Sequence, residues 1–266
     1  MHTAILGRSV SLPVPGEFAN PFVKSIHVSP DFAVNPNAKV QYTHLGAAGE
    51  TLLIIDDFLL DPAAVVDMAA EGVTYGPAGA AYPGLRAPIP DVYNFNMYNA
   101  LQGLLLDLFQ VDPNWKMTLT SSFSMITERP ATLKHKQRIP HVDQNDPRAL
   151  AMVHYLCDPR YGGTAFFRQR STGIQSVNLD TRELHNRALT EDINTRLMPA
   201  GFPDADHPFY EQIGEVKAQF NRLVCYQACI LHSPAIARDS VFSPDPRQGR
   251  LTITAFLNPE DLIPLA

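Results

Sequence analysis

The sequence predicts a mainly β fold with flanking helices, a double-stranded β-helix of the jelly-roll kind, and three observations predict it. The two helical patterns with an apolar face come early, at 61–71 and 91–109. From Met117 onward the apolar runs are short and strand-like, separated by Pro, Gly and Asp. Their number, about eight, suits two facing antiparallel sheets buttressed by the preceding helices. No internal repeat is evident.

Taken in order, residues 1–50 carry Pro13, Pro15, Pro21, Pro30 and Pro36, which interrupt any long element. This segment reads as an arm packed on the core, with short edge strands around Lys39–Thr43. Thr51–Leu60 is a short apolar run typical of a strand. Asp61 then supplies a helix cap and Pro62 the first helical position, and the helix continues over Ala63–Glu71 to stop at Gly72. Tyr82–Pro90 is too proline-rich for helix or strand and reads as an ordered loop or lid. Tyr82 and Arg86 are its candidates for touching substrate, the plainer reading being a surface crossing loop. Asp91–Phe109 has apolar residues at helical spacing and should pack on a sheet.

Strands are expected at Met117–Thr127, Gln137–Asp143, Leu150–Cys157, Gly163–Arg168, Glu215–Val216, Arg222–Leu231, Ser240–Phe242 and Arg250–Leu257. A polar helix is expected at Arg182–Leu197, followed by loop to Tyr210. Residues 51–116 thus supply a strand and supporting helices, and residues 117–258 the jelly-roll core of a single 266-residue domain.

Composition narrows the function. With 45% hydrophobic and 18% charged residues the chain can bury a substantial core, which excludes a disordered protein. A net charge of −6 with no Lys/Arg-rich run argues against a nucleic-acid partner. No apolar stretch reaches membrane-spanning length and no basic-then-apolar leader opens the chain, so no membrane partner and a cytoplasmic location are expected. The three cysteines, Cys157, Cys225 and Cys229, are an odd number and suit a reducing compartment. Cys225 and Cys229 lie near His232 and raise a zinc site. The run L-V-C-Y-Q-A-C-I-L reads better as a buried strand in which small cysteines pack.

The chemistry centres on His141-Val142-Asp143. If 137–143 is a strand, His141 and Asp143 share one face, and His232 would complete a metal site with them. Two histidines and one carboxylate with the opposite positions open suit non-haem Fe(II) and its reactions with O2. The spacing alone also fits a surface strand with a solvated His and Asp, and His135 is the alternative ligand if the H-x-D assignment fails. In R-L-T-I-T-A-F-L, Arg250, Thr252 and Thr254 share one face. An arginine turned into a barrel is costly unless a carboxylate meets it, which points to a bound organic acid; otherwise Arg250 opens an edge strand with its guanidinium in water. Leu150–Arg168 reads as a hairpin turning at Gly162-Gly163. His154 should face away from Tyr155 and be structural.

Together these residues resemble the 2-oxoglutarate- and Fe(II)-dependent dioxygenases, in particular the prolyl-hydroxylase-like branch, over roughly residues 117–258. The likeness rests on an ordered series: H-V-D at 141–143, Y-L and then G-G at 155–163, F-N-R-L-V before His232, and R-L-T-I-T-A-F as a closing strand. The sequence also looks like an uncharacterised bacterial group of that superfamily with Y-P-G-x-R-A-P and G-G-T-A-F-x-R. The resemblance implies that His141, Asp143 and His232 bind iron and that Arg250 pairs with the distal carboxylate of 2-oxoglutarate. It further implies that Tyr155 donates its hydroxyl to that carboxylate, with Thr252 as a further contact. Arg250 lies further from the distal histidine than is usual in that family. Arg238 lies nearer but lacks the closing strand, and a longer proline-rich loop absorbs the difference. The expected activity is hydroxylation of a small molecule, amino acid or peptidyl substrate with 2-oxoglutarate and O2. Halogenation is disfavoured because Asp143 fills the position a halide would need. The alternatives are a non-catalytic jelly-roll ligand-binding protein, or a cupin-type zinc or nickel enzyme that does not use 2-oxoglutarate.

Overall fold

A computed structural model describes residues 32–79, 82–236, 240 and 242–261. Within them the strands are β1 (Lys39–Leu45), β2 (Glu50–Asp56), β3 (Gly76–Pro77), β4 (Gly84–Pro88), β5 (Met117–Ile126), β6 (Leu150–Tyr155), β7 (Gly163–Gln169), β8 (Tyr210–Lys217), β9 (Arg222–Gln227), β10 (His232–Ala235) and β11 (Arg250–Pro259). The α-helices are α1 (Pro62–Glu71), α2 (Asp91–Phe109) and α3 (Arg182–Thr195). Eight strands form one antiparallel sheet in the order β1-β2-β9-β6-β11-β5-β4-β3, and β10-β7-β8 form a second. This is the jelly roll that the patterning predicts.

Alternation along each strand sorts residues into two cores. Leu251, Ile253, Ala255 and Leu257 of β11 join Leu53, Phe123, Met152 and Cys225 on the outer face of the large sheet. There they meet Val65 and Ala69 of α1 and Tyr93, Met97, Leu101 and Leu105 of α2. Ile54, Val153, Tyr155, Val224 and Tyr226 point the other way, onto Phe166 of β7 and Val216 of β8 between the sheets. The helix starts behave as read: Asp61 accepts from the Ala64 N–H at 3.0 Å, and the Gly72 N–H closes α1 on the Met68 carbonyl at 2.8 Å.

Several expectations need correction. Residues 137–143 are not a strand. Gln137 caps the Lys134 N–H at 2.8 Å and draws His135–Gln137 into a 3-10 turn, and Pro140 has no N–H for a ladder, so His141 makes only an isolated bridge. Tyr82–Pro90 is not all loop, because Gly84–Pro88 pairs with β5 from Gly84↔Ile126 to Pro88↔Ser122. Its prolines stand at the strand's ends and beyond, where a missing donor is tolerated.

Leu150–Arg168 is not a hairpin either, since β6 belongs to the large sheet and β7 to the small one. Gly162, at φ 95°, makes the corner. A Cβ there would strike the Ala235 carbonyl, and one on Gly163 the Val216 carbonyl, so the small sheet closes around both glycines. Arg222–Leu231 breaks after Gln227 in a turn closed from the Ile230 N–H to the Gln227 carbonyl at 3.1 Å. The chain there changes sheets and enters β10 at His232. Ser240 and Phe242 are not in a strand. Val241, Arg238 and residues 1–31 lie outside the described residues.

His154 is structural, as its alternation with Tyr155 suggests. Fully buried, it lies 3.2 Å from the Tyr93 hydroxyl and 3.1 Å from the Asn221 side-chain oxygen, which also accepts from the Leu59 N–H at 2.9 Å. Burial pushes its pKa down to about 4. A folded-state value below the unfolded one means that its stabilisation is whole above the unfolded pKa and is lost as pH falls toward 4. The loss should amount to about 3 kcal/mol. Urea unfolding of wild type and His154→Asn at neutral and mildly acidic pH should show a steeper acid loss in wild type. Equal losses would remove His154 from that role.

Candidate metal centre

Three backbone pairings build the centre. The His141 N–H donates to the His232 carbonyl and the His232 N–H to the His141 carbonyl, each at 2.9 Å, so the two histidines face one another across the start of β10. The Ala228 carbonyl, in the sheet-switching turn, accepts from the N–H groups of Asp143 at 2.9 Å and Gln144 at 3.2 Å. Asp143 is thereby folded back toward the histidines without any strand periodicity.

His141, Asp143 and His232 each offer a donor atom, and these atoms lie within 4.8 Å of one another. His232 Nε2 stands 3.2 Å from Asp143 Oδ2 and His141 Nε2 3.9 Å from Asp143 Oδ1. His232 Nδ1 lies 2.9 Å from the Ile230 carbonyl. An N–H there fixes the tautomer and leaves the Nε2 lone pair for a metal. Among the described residues no other group of three His, Cys, Asp or Glu side chains meets this criterion. Cys225 packs in the helix-facing core and Cys229 is buried outside the cluster, so neither joins His232; nor does His135.

The electrostatics favour ligand forms. Burial works against the Asp143 carboxylate, but His232, His141 and Arg86 together hold its pKa below the usual range. His141 lines the cleft with 47% of its side chain accessible, yet the protein around it, with His232 adding repulsion, pushes it down to about 4 and keeps it neutral. His232 is raised: burial disfavours its charge, and Asp143 more than offsets this. A metal would displace that proton. Two neutral imidazoles and a carboxylate on one side of a cavity fit Fe(II) with open positions opposite.

The cavity, about 510 Å3 with the space open to solvent included, is lined by the three ligand candidates together with Tyr82, Arg86 and Arg250. Thr164, Tyr226, Thr254 and Phe256 also line it. Arg250 is 6% exposed and faces inward from β11, as its alternation suggests. One Nη donates to the Gly163 carbonyl at 2.8 Å, its Nε has no partner, and no carboxylate pairs with it among the described residues. Tyr155 faces the same interior but does not line the cavity. Its hydroxyl lies 2.6 Å from the Thr164 hydroxyl, and burial pushes its pKa up to about 12, so it stays protonated. Tyr155 therefore reaches the cavity through Thr164, its hydroxyl partner, and through Arg250, whose guanidinium carbon lies 5.6 Å from its ring centroid. Thr252 donates to the Ser124 carbonyl at 3.2 Å and does not line the cavity either; Thr254, one step along the same face, does. Thr164 and Tyr226 were not singled out by sequence. Strand alternation reaches Tyr226, whose ring lies edge-on to His232 at 5.0 Å, whereas Thr164 depends on the sheet crossing.

A family model described as "Family of unknown function (DUF6445)" matches residues 36–257. The chain belongs to that family. The match spans every cavity residue named above, so this DUF6445 chain carries the centre within its family region. No curated protein matches it in sequence. Solved structures with similarity include HygX from Streptomyces hygroscopicus with nickel and 2-oxoglutarate bound, at 16% identity and TM-score 0.47 over 79% of this chain and 83% of that one. The non-heme alpha-ketoglutarate-dependent carbocyclase SnoK from nogalamycin biosynthesis is similar at 13% identity and TM-score 0.41, over 80% and 81%. An N-substituted L-amino acid dioxygenase from Burkholderia ambifaria AMMD, in complex with alpha-KG, is similar at 15% identity and TM-score 0.38, over 85% and 96%. At such identities the likeness says nothing about individual site residues of this chain. No helix among the described residues is long and apolar enough to cross a membrane.

Proposed function

We propose that this chain is an Fe(II)- and 2-oxoglutarate-dependent oxygenase that hydroxylates a small organic substrate. One observation carries the reading: a buried guanidinium with no carboxylate partner among the described residues opens into the same cavity as the His141–Asp143–His232 cluster. An unpaired buried charge is costly, and a dicarboxylate that places one end at the metal and the other at Arg250 removes the cost. Neither a cupin-type zinc or nickel enzyme without 2-oxoglutarate nor a non-catalytic binding module calls for that guanidinium.

When bound, Fe(II) with 2-oxoglutarate supplies the splitting of O2, one oxygen atom entering succinate as CO2 is released and the other entering a substrate C–H bond. The chain's own residues hold and orient. His141, Asp143 and His232 would hold the metal on one side, and the Ile230 carbonyl fixes the His232 ring. Arg250 would bind the distal carboxylate. Thr164, backed by Tyr155, offers that carboxylate a hydroxyl. Tyr226, edge-on to His232, and Phe256 add aromatic surface to the cavity wall.

Anaerobic addition of Fe(II) and 2-oxoglutarate is expected to produce a weak visible charge-transfer band that needs both components. A wild-type protein that binds Fe(II) but gives no such band would overturn the reading.

A further inference from the structure

Arg86 is a second inward-facing cation; it favours the Asp143 carboxylate from a distance, but the oxygenase reading gives it no carboxylate to bind. Directly paired residues of an antiparallel sheet share a face. The pairings Arg86↔Ser124, Ser124↔Thr252 and Thr252↔Tyr155 therefore place Arg86 on the interior face of the large sheet. Its guanidinium lies 4.8 Å from the Tyr82 ring centroid, which holds it in place through a cation–π contact. Its Nε is buried with no hydrogen-bond partner, and no carboxylate pairs with it among the described residues. The Tyr82 hydroxyl beside it is likewise buried, with Thr252 nearby but no partner at hydrogen-bond distance among the described residues. Both residues line the cavity that holds the metal-ligand cluster.

Two unsatisfied donors, one of them cationic, form half of a carboxylate site. 2-Oxoglutarate has only two carboxylates, and the proposed function assigns one to the metal and the other to Arg250. The charge on Arg86 thus remains for a different molecule. We infer that Arg86, with Tyr82, binds a carboxylate of the molecule being oxidised, so that the substrate is a small carboxylic acid, an amino acid included. This rests on the oxygenase reading. Even counted with the solvent-open space at its mouth, about 510 Å3, the cleft has room for small molecules and none for a folded partner.

The test uses the full-length protein loaded with Fe(II) and 2-oxoglutarate. A bacterial extract is ultrafiltered, and the filtrate is split on a strong anion exchanger at alkaline pH into retained acids and unretained neutral molecules and amines. Each fraction, and the retained polypeptides, is assayed for stimulation of O2-dependent succinate formation. Stimulation is expected from the acid fraction alone and should vanish after methyl esterification, which spares phosphate esters. Arg86→Ala should lower the response about 30-fold or more, and Arg86→Lys should recover part of it. Arg86→Ala should keep the anaerobic charge-transfer band, which reads cosubstrate binding. Stimulation by the unretained fraction, by polypeptides or by esterified acids, or by no fraction while the band is present, would overturn this inference alone. A band lost in Arg86→Ala would do the same, moving Arg86 to the cosubstrate. A band missing from wild type removes the oxygenase reading, and this inference with it.

Discussion

Replacing Arg250 with methionine is expected to weaken 2-oxoglutarate binding by roughly 30-fold to several-thousand-fold while changing the stability of the ligand-free protein by no more than about 1 kcal/mol. Truncating one partner of a buried charged pair costs roughly 2–5 kcal/mol of binding. Without the acid, the guanidinium makes one hydrogen bond among the described residues, to the Gly163 carbonyl, and leaves its Nε unsatisfied there. Losing that bond is offset by no longer burying an incompletely paired cation. Methionine fills much of the same volume against Tyr155, whose ring centroid lies 5.6 Å from the guanidinium carbon. Titrating the anaerobic band gives the affinity, and denaturant unfolding of the apoprotein gives the stability. Arg250→Lys should recover only part of the affinity, because an ammonium lacks the planar fork. A large stability loss with unchanged affinity would make Arg250 a structural residue.

Asp143→Ala is expected to lower Fe(II) affinity by at least about 100-fold, since removing merely an outer partner of a metal ligand costs 10- to 100-fold. The loss is readable without turnover. Metal that binds only the folded chain stabilises it by about 2.7 kcal/mol at one hundred times its dissociation constant. Wild type should therefore show an unfolding midpoint that rises with anaerobic Fe(II), and Asp143→Ala should not at the same concentrations. His232→Ala should behave alike, because Asp143 lies within 3.2 Å of its Nε2 and the two act on one ion. A metal-dependent rise that survives both substitutions would place the ion elsewhere.

How legible these features were in the sequence depended on how regular the backbone around them is. Arg250 opens a ten-residue strand paired on both sides, so period-two alternation puts it on one face with Thr252 and Thr254, and the family resemblance picked the interior for that face. The same regularity separates His154 from Tyr155. For His141 and Asp143 the expected convergence is found but its reason differs. No strand carries them; the His141–His232 bridge and the Ala228 carbonyl do, and both are long-range pairings that no local pattern encodes. Tyr155 was read to the correct face, but its reach depended on what lies across from it, and Thr164 arrives there from the other sheet. Gly84–Pro88 escaped because proline content signals a loop unless the prolines fall where the ladder needs no donor. The fold class survived all of this because it rests on many short runs at once, whereas each site contact rests on one pairing.

The placement of Arg86 has an evolutionary consequence. Its strand is fully paired with β5 on one side, and on the other meets only the two-residue β3, while Arg250 sits on β11, which pairs with β5 and β6 in the middle of the large sheet. On the proposed function, the cation that selects the oxidised molecule stands near the fringe of the large sheet and the cation that holds 2-oxoglutarate in its middle. Drift along that fringe would then retarget the protein to new acids while leaving the 2-oxoglutarate grip untouched.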